Sequence, residues 1–214
     1  MLGNRPTFTY LGIMNGKIIK RVPEGTPGAT QRTNKAGASV HEVRYDHVIG
    51  ILQEIGVSEG GPYGPQWLFT LQDGAESYRL QVGENTRELT SLLLALPGCD
   101  FRNPISISPY DFTDSDGKKR SGVTLKQAGR KVPWFFTREN PNGLPELKPV
   151  TIDGKETWDS SERIKFLRQY VDEHIAPLLP APAASLPAEA DDSLLPPDVP
   201  QDENRPEAND DLPF

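Results

Sequence analysis

The sequence predicts a mainly β protein: a five-stranded Greek-key barrel with an N-terminal hairpin extension, a helix between the third and fourth barrel strands, a C-terminal helix and a disordered acidic tail. Three observations predict it. Short runs of alternating apolar and polar residues recur between turn signals, the period-2 pattern of half-buried strands. One stretch alone in the middle of these runs switches to helical spacing. From Pro180 onward the composition changes abruptly, with eight prolines in 35 residues and no aromatic until Phe214.

The first element is a hairpin over residues 7–22, where two β-rich runs flank Asn15-Gly16, a dipeptide that accepts the positive φ of a type I′ turn. Residues 23–40 carry Pro23, Gly25, Pro27, Gly28 and Gly37 among polar residues and read as a long loop bearing Arg32 and Lys35. Residues 41–56 form an extended β-rich run, with Gly50 placed where a strand can bend sharply. After a Gly/Pro loop, residues 66–72 put Trp67, Phe69 and Leu71 on one face. Asp73-Gly74 marks a turn, and residues 77–82 put Tyr78, Leu80 and Val82 on one face against Ser77, Arg79 and Gln81 on the other. Asn85 then opens a helix with Glu88 in capping-box spacing. Its apolar stripe is Leu89, Leu92, Leu93 and Leu96, and Pro97-Gly98 stops it. Residues 104–112 return to strand, where Pro109 is expected to shift the phase or mark a bulge. A turn over residues 113–120 leads to a last strand carrying Val123 and Leu125. Further on, Asp159 or Ser160 caps a second helix with Ile164, Leu167, Val171 and Leu178 as its stripe. That helix is expected to pack on the barrel, with a dimerisation role as the alternative.

Strand, strand, strand, helix, strand, strand is the layout of the OB-fold, whose strand face and loops bind oligonucleotides. The chain therefore divides into an N-terminal hairpin and basic loop (1–40), an OB-fold core (41–136), a post-barrel segment and helix (137–179) and a disordered acidic tail (180–214). The tail holds too little apolar surface to offset the entropy of ordering it.

Net charge across all 214 residues is −7, but from Pro180 on nine acids face one base, Arg205, so the first 179 residues carry about +1. A near-neutral body with an acidic appendage is compatible with a nucleic-acid partner. The single Cys99 excludes an internal disulfide framework and a Cys-based metal site. His41, His47 and His174 show no metal-ligand spacing, and no cofactor is expected. No apolar run reaches the ~18 residues of a membrane span, and no secretory leader is evident, so a cytoplasmic protein is expected. Phosphate-cradling loops, His-Glu-x-x-His and G-x-S-x-G patterns are all missing, so no enzyme is expected.

The cations are more telling. Lys118, Lys119, Arg120, Lys126, Arg130 and Lys131 fall within fourteen residues that contain no acid. In an OB barrel the loop between strands four and five borders the binding groove, and cations there would track a phosphate backbone. Tyr110 and Phe112 precede the run, and Trp134, Phe135 and Phe136 follow it. Bases stack on such rings with little regard to sequence. If residues 134–136 are extended, the middle ring points opposite its neighbours and at least one of the three is exposed. Arg79 is a further groove candidate, and Lys17, Lys20, Arg21, Arg32, Lys35 and Arg44 extend the basic track.

The chain ends Asp210-Asp211-Leu212-Pro213-Phe214. A ring that can fill an apolar pocket, next to carboxylates that can meet Lys or Arg at its rim, makes a compact peptide ligand. This end resembles the acidic tip of the bacterial and phage single-stranded-DNA-binding proteins, which closes on an Asp-Asp-(Ile/Leu)-Pro-Phe pattern. The resemblance covers those five residues and the general character of the tail. It implies a phage or mobile-element protein that coats single strands in DNA replication, recombination and repair. Its tip would recruit replication, recombination and repair proteins, and a homo-oligomer stays open. The rivals are an interaction protein that uses the tip without binding DNA, and an RNA-binding OB protein.

Overall fold

The computed structural model of the chain describes residues 8–34, 37–59, 64–152 and 155–180. Among the described residues, twelve strands and two α-helices are arranged in chain order. The first group is β1 (Thr9–Met14), β2 (Lys17–Val22), β3 (Thr30–Thr33), β4 (Ser39–Tyr45), β5 (Val48–Ser58), β6 (Gln66–Asp73) and β7 (Glu76–Gly83). Then come α1 (Arg87–Ala95), β8 (Ile105–Thr113), β9 (Lys119–Gln127), β10 (Arg130–Lys131), β11 (Lys148–Ile152), β12 (Lys155–Asp159) and α2 (Ser161–Tyr170). Ten strands form one sheet in the order β10-β9-β8-β5-β6-β7-β1-β2-β4-β3, and β11–β12 pair separately.

The fold is mainly β, as the alternating runs indicate, but a five-stranded closed barrel is not what it forms. The large sheet is open, and β1 continues it by pairing parallel with β7, Thr9 to Leu11 against Tyr78 to Leu80. The β1–β2 turn then comes down on β8. A Cβ on Gly16 would sit 2.5 Å from the Asp111 amide nitrogen, so this closely packed position, with φ of 68°, admits only glycine.

Two strands differ from the sequence reading. Residues 30–33, expected in a loop, pair with β4. Asn34 makes the reversal: its Oδ1 accepts the Ala38 amide at 2.7 Å, and its own amide donates to the Ala38 carbonyl at 2.8 Å. The run expected as one strand over 41–56 is two, broken at Asp46-His47. β4 belongs with β2 and β3 in the N-terminal section, so a boundary at residue 40 falls inside a strand.

β5 has the bend that Gly50 suggests. Its first part pairs with β8 and its second with β6, and at Gly50 a Cβ would lie 3.0 Å from the Gln72 carbonyl oxygen. A bulge between Leu52 and Glu54 then resets the phase, so that Leu52 and Ile55 both face inward while Glu54 faces out. Pro109 causes no such shift. It sits in unbroken register opposite Val123. The Val123 amide points away from β8, so Pro109 turns its nitrogen toward the side where β5 has already ended, and no ladder bond is lost.

The core lies on the inner face of the curled sheet: Leu11 and Ile18 from the hairpin, Trp67, Phe69, Leu80 and Val82, then Ile107 and Leu125. Tyr78 of the same alternation is only half-buried. The α1 stripe, Leu89, Leu92, Leu93 and Leu96, is fully buried against it, each side chain contributing about 1.5–3 kcal/mol. Thr86, one residue later than expected, caps α1, its hydroxyl accepting the Leu89 amide at 3.1 Å.

α1 also solves a problem the open sheet creates. Beyond the short β10 pairing, the outer edge of β9 has no strand partner among the described residues, and an unpaired edge is an aggregation hazard. Ser91 Oγ accepts the Val123 amide at 2.7 Å, Arg87 donates to the Lys119 carbonyl at 3.2 Å, and the Val132 amide reaches the Leu125 carbonyl at 2.9 Å. Side chains of α1, and the backbone just after β10, thus stand where a strand would close the structure.

After the sheet, Phe136 is fully buried and meets Phe166 and Tyr170 of α2 edge-on. Arg168 ties α2 to Glu59 and Glu84. Ser160 is the N-cap residue, but the neighbouring Asp159 carboxylate takes the Ser161 amide at 2.9 Å. The helix loosens into a π turn over Val171–Ile175. That extra residue per turn rotates the stripe, so Ile175 is buried and Leu178, expected inside, is 64% exposed.

Candidate functional site

The register of the β8–β9 hairpin decides which of the candidate residues share a surface. Directly opposed residues project to the same side. Ile105, Ile107, Val123 and Leu125 point into the core. The alternate pairs, Phe112 with Arg120, Tyr110 with Gly122, and Ser106 with Lys126, therefore point out. β10 adds Lys131 directly across from Lys126, and β5 adds Ile49 across from Ser106. The result is a strip of cations and aromatic rings on one sheet face.

Phe112 is 53% exposed, the most exposed aromatic among the described residues. Its ring centroid lies 5.9 Å from that of Tyr110. Tyr110 is half-buried: it leans over Gly122, where any Cβ would fall 2.6 Å from the phenolic oxygen. Burial there, with the Glu88 charge second, holds the phenol above its usual pKa. Glycine opposite an aromatic lets the ring lie flat on the strand and brings Phe112 alongside it.

Lys118, Lys126, Arg130 and Lys131 are exposed. Arg120 and Lys119 are less exposed and lie against carboxylates. Arg120 Nε donates to Asp114 at 2.8 Å, and Lys119, on the opposite face of the hairpin, lies 3.5 Å from Asp111. Asp114 organises the turn: one carboxylate oxygen accepts the amides of Asp116 at 3.0 Å and Lys118 at 2.9 Å. The Lys118 amide and then the Arg120 guanidinium keep its carboxyl below the ordinary value. The acid-free run is therefore flanked by acids that position it, and Arg120 is oriented alongside Phe112 by its bond to Asp114.

The remaining candidates lie elsewhere. Arg79 is on the same outer face but on β7, three strand spacings from β8. Its guanidinium packs 4.0 Å from the centroid of the Phe8 ring and 3.7 Å from Glu54, it is only 13% exposed, and its buried Nε has no hydrogen-bond partner. Trp134 is partly buried against the core, Phe135 is 38% exposed and Phe136 is buried. One of the three rings is exposed, as expected, but the segment is not a strand and Phe135 does not point opposite Phe136: their ring centroids lie 5.0 Å apart and both reach Tyr170. The Phe135 amide bonds to the Leu94 carbonyl at 2.8 Å, which places its ring beside Tyr170 rather than on the strip. Residues 210–214 and Lys35 lie outside the described residues.

Sequence reasoning missed the polar floor between these regions. Thr70, Gln66 and Gln81 face outward on β6 and β7, yet all are buried, and Gln66 Oε1 and Gln81 Oε1 lack hydrogen-bond partners. It also missed Phe8 and Tyr10, half-buried on the outer side of the N-terminal segment and β1. The signal was available in part, since Tyr10 alternates with Leu11, but the hairpin reads as an appendage until its parallel pairing with β7 is known. No helix among the described residues is long and apolar enough to cross a membrane. The chain matches no family model, no curated protein and no solved structure.

Proposed function

We propose that the chain is a sequence-tolerant single-stranded-DNA-binding protein and that the outer face of β8–β9–β10 is part of its binding surface. The observation that carries this reading is the strip itself: the exposed Phe112 ring beside Tyr110, with Arg120, Lys126 and Lys131 on the same side. Rings stack on bases at about 1–3 kcal/mol each, without reading sequence, and cations on the same face neutralise the phosphates between them. Connectivity supports it as well. β5 to β9 run strand, strand, strand, helix, strand, strand in the spatial order β7-β6-β5-β8-β9, which fits an OB-type barrel whose open side is filled by α1 and by the β1–β2 hairpin. In this reading the terminal Asp210, Asp211, Leu212, Pro213 and Phe214 recruit replication, recombination and repair proteins. The protein acts as a cytoplasmic, phage- or mobile-element-type binder without a catalytic role or a cofactor.

Fluorescence anisotropy with labelled oligo-dT tests the DNA-binding half. Affinity is expected at moderate salt, with a log–log salt slope of about −0.7 per neutralised phosphate. No affinity for oligo-dT at moderate salt would overturn the reading. Preference for a matched RNA oligomer would replace DNA with RNA, since stacking and phosphate contacts do not distinguish the sugar. Recruitment is tested by pull-down with the native terminus and with an uncharged extension after Phe214. Equal recovery of partners would show that the terminus is not what they recognise.

A further inference from the structure

The outer face of the sheet does not end at β7. Through the parallel β1 pairing it continues over Tyr10 and across β2, β4 and β3. There the register aligns Arg21, Glu42 and Thr30 in one row, with Arg44 two residues along β4 and Arg32 two residues along β3, all on the same side. Glu42 is fully buried, although it stands on the face away from the core. Its two oxygens are divided between two guanidiniums: Arg32 Nε at 2.8 Å on one, Arg44 Nη2 at 2.9 Å and Nε at 3.2 Å on the other. Arg32 Nη2 is buried with no hydrogen-bond partner.

This is an ion cluster with surplus charge. Residues 8–46 contain six bases and three acids, and on this face the guanidiniums of Arg32 and Arg44 share one carboxylate. A cluster built only for stability would be expected to balance, and it would not leave a guanidinium nitrogen unpaired, which carries a desolvation cost. Guanidinium forks anchored by one edge on a carboxylate suit the oxygens of a phosphodiester; Arg44 is 41% exposed, and Arg32 Nη2 lacks a protein partner. Half-buried Tyr10 and Phe8 lie between this array and Arg79 of β7.

We propose that the outer face of β1–β2–β4–β3 is a second binding track for the same single strand, in which Arg32 and Arg44 hold backbone phosphates and Glu42 is the positioning residue that fixes both. The inference rests on the proposed single-strand binding. From β7 to β4 is three strand spacings, roughly 14 Å, so the track serves longer strands and is not needed by short ones.

The test uses the full chain and oligo-dT of graded length. Arg44→Gln removes one fork at a partly exposed position. A second variant, Arg32→Met with Glu42→Leu and Arg44→Met, removes the cluster whole. Replacing a buried ion triad by apolar residues of similar volume leaves proteins folded, and circular dichroism checks that. Both variants should bind the shortest strands like wild type. On long strands both should bind more weakly, with salt slopes shallower by roughly 0.7 for the single variant and 1.4 for the triple. If wild type binds and both variants keep its slope and length dependence, the second track is wrong while single-strand binding stands. Equal weakening on short and long strands would also overturn the track. If wild type binds no length, both readings fail together.

Discussion

The two ends of the large sheet are both cationic, yet their charges are supported in opposite ways. At the β8–β9 end, carboxylates sit in or beside a solvated turn, and four of the six cations are exposed. At the β4–β3 end, one carboxylate is removed from water entirely and two guanidiniums close over it. Surface pairs of the first kind contribute about 0–1 kcal/mol, whereas a buried pair is costly to break because the surviving charge stays desolvated. At the first end the charges lie mostly at the surface, so removing one should cost little folding stability. At the other end, charge and fold are the same structure.

Substitution of Glu42 probes that difference most severely. Glu42→Gln leaves Arg32 and Arg44 without their counter-charge and is expected to cost about 3 kcal/mol, the lower end for a broken buried pair, because Arg44 keeps contact with water. Urea unfolding with an unchanged m-value would report it; a midpoint equal to wild type would mean the cluster is no more structural than the β8–β9 cations. Ser91→Ala tests the other end at a buried polar contact. It orphans the Val123 amide, for about 1–3 kcal/mol, and fast hydrogen exchange at Val123 would identify the exposed edge. An unchanged exchange rate would show that α1 does not protect β9.

The smallest effect is a pH dependence in the β8–β9 turn. Asp114 has a folded pKa below its unfolded value, first through the Lys118 amide and then through Arg120. Its contribution is complete above the unfolded value, about 3.8–3.9, and is lost as pH falls through the lower folded value. Exchange of the Lys118 amide should therefore speed up, relative to its intrinsic rate, only below about pH 4, and Asp114→Asn should remove that dependence while leaving global stability nearly unchanged.

Much of this was legible in the sequence, and what was not has a physical reason. Apolar alternation located β6 and β7, and helical spacing located α1, because both patterns record burial directly. Thr30–Thr33 carries no apolar residue to alternate, so its strand is visible only through Asn34 and its partner β4. The β4–β5 break at Asp46-His47 is hidden by continuous β propensity on both sides; Lys17, bonded to Asp46 at 2.6 Å, marks it in three dimensions. The basic run was evident, but that Lys119 faces away from Arg120 follows from register, and that Arg79 is covered by Phe8 follows from a parallel pairing no local pattern encodes. The Arg32–Glu42–Arg44 cluster joins residues from two strands, one of which was read as loop.

The proposed role of the outer β8–β9 strip as a stacking and phosphate surface depends above all on Phe112. The ring is half in water and its aromatic neighbour among the described residues is Tyr110, so Phe112→Ala should leave the urea midpoint within the effect of an ordinary surface change, about 0.5 kcal/mol. Titrated with oligo-dT at fixed salt, the variant should lose about 1–3 kcal/mol of binding, roughly five- to 150-fold in affinity, with its salt slope unchanged because no cation has been removed. Wild-type affinity in a folded Phe112→Ala protein would show that this ring is no stacking platform and that the strip is not the binding surface.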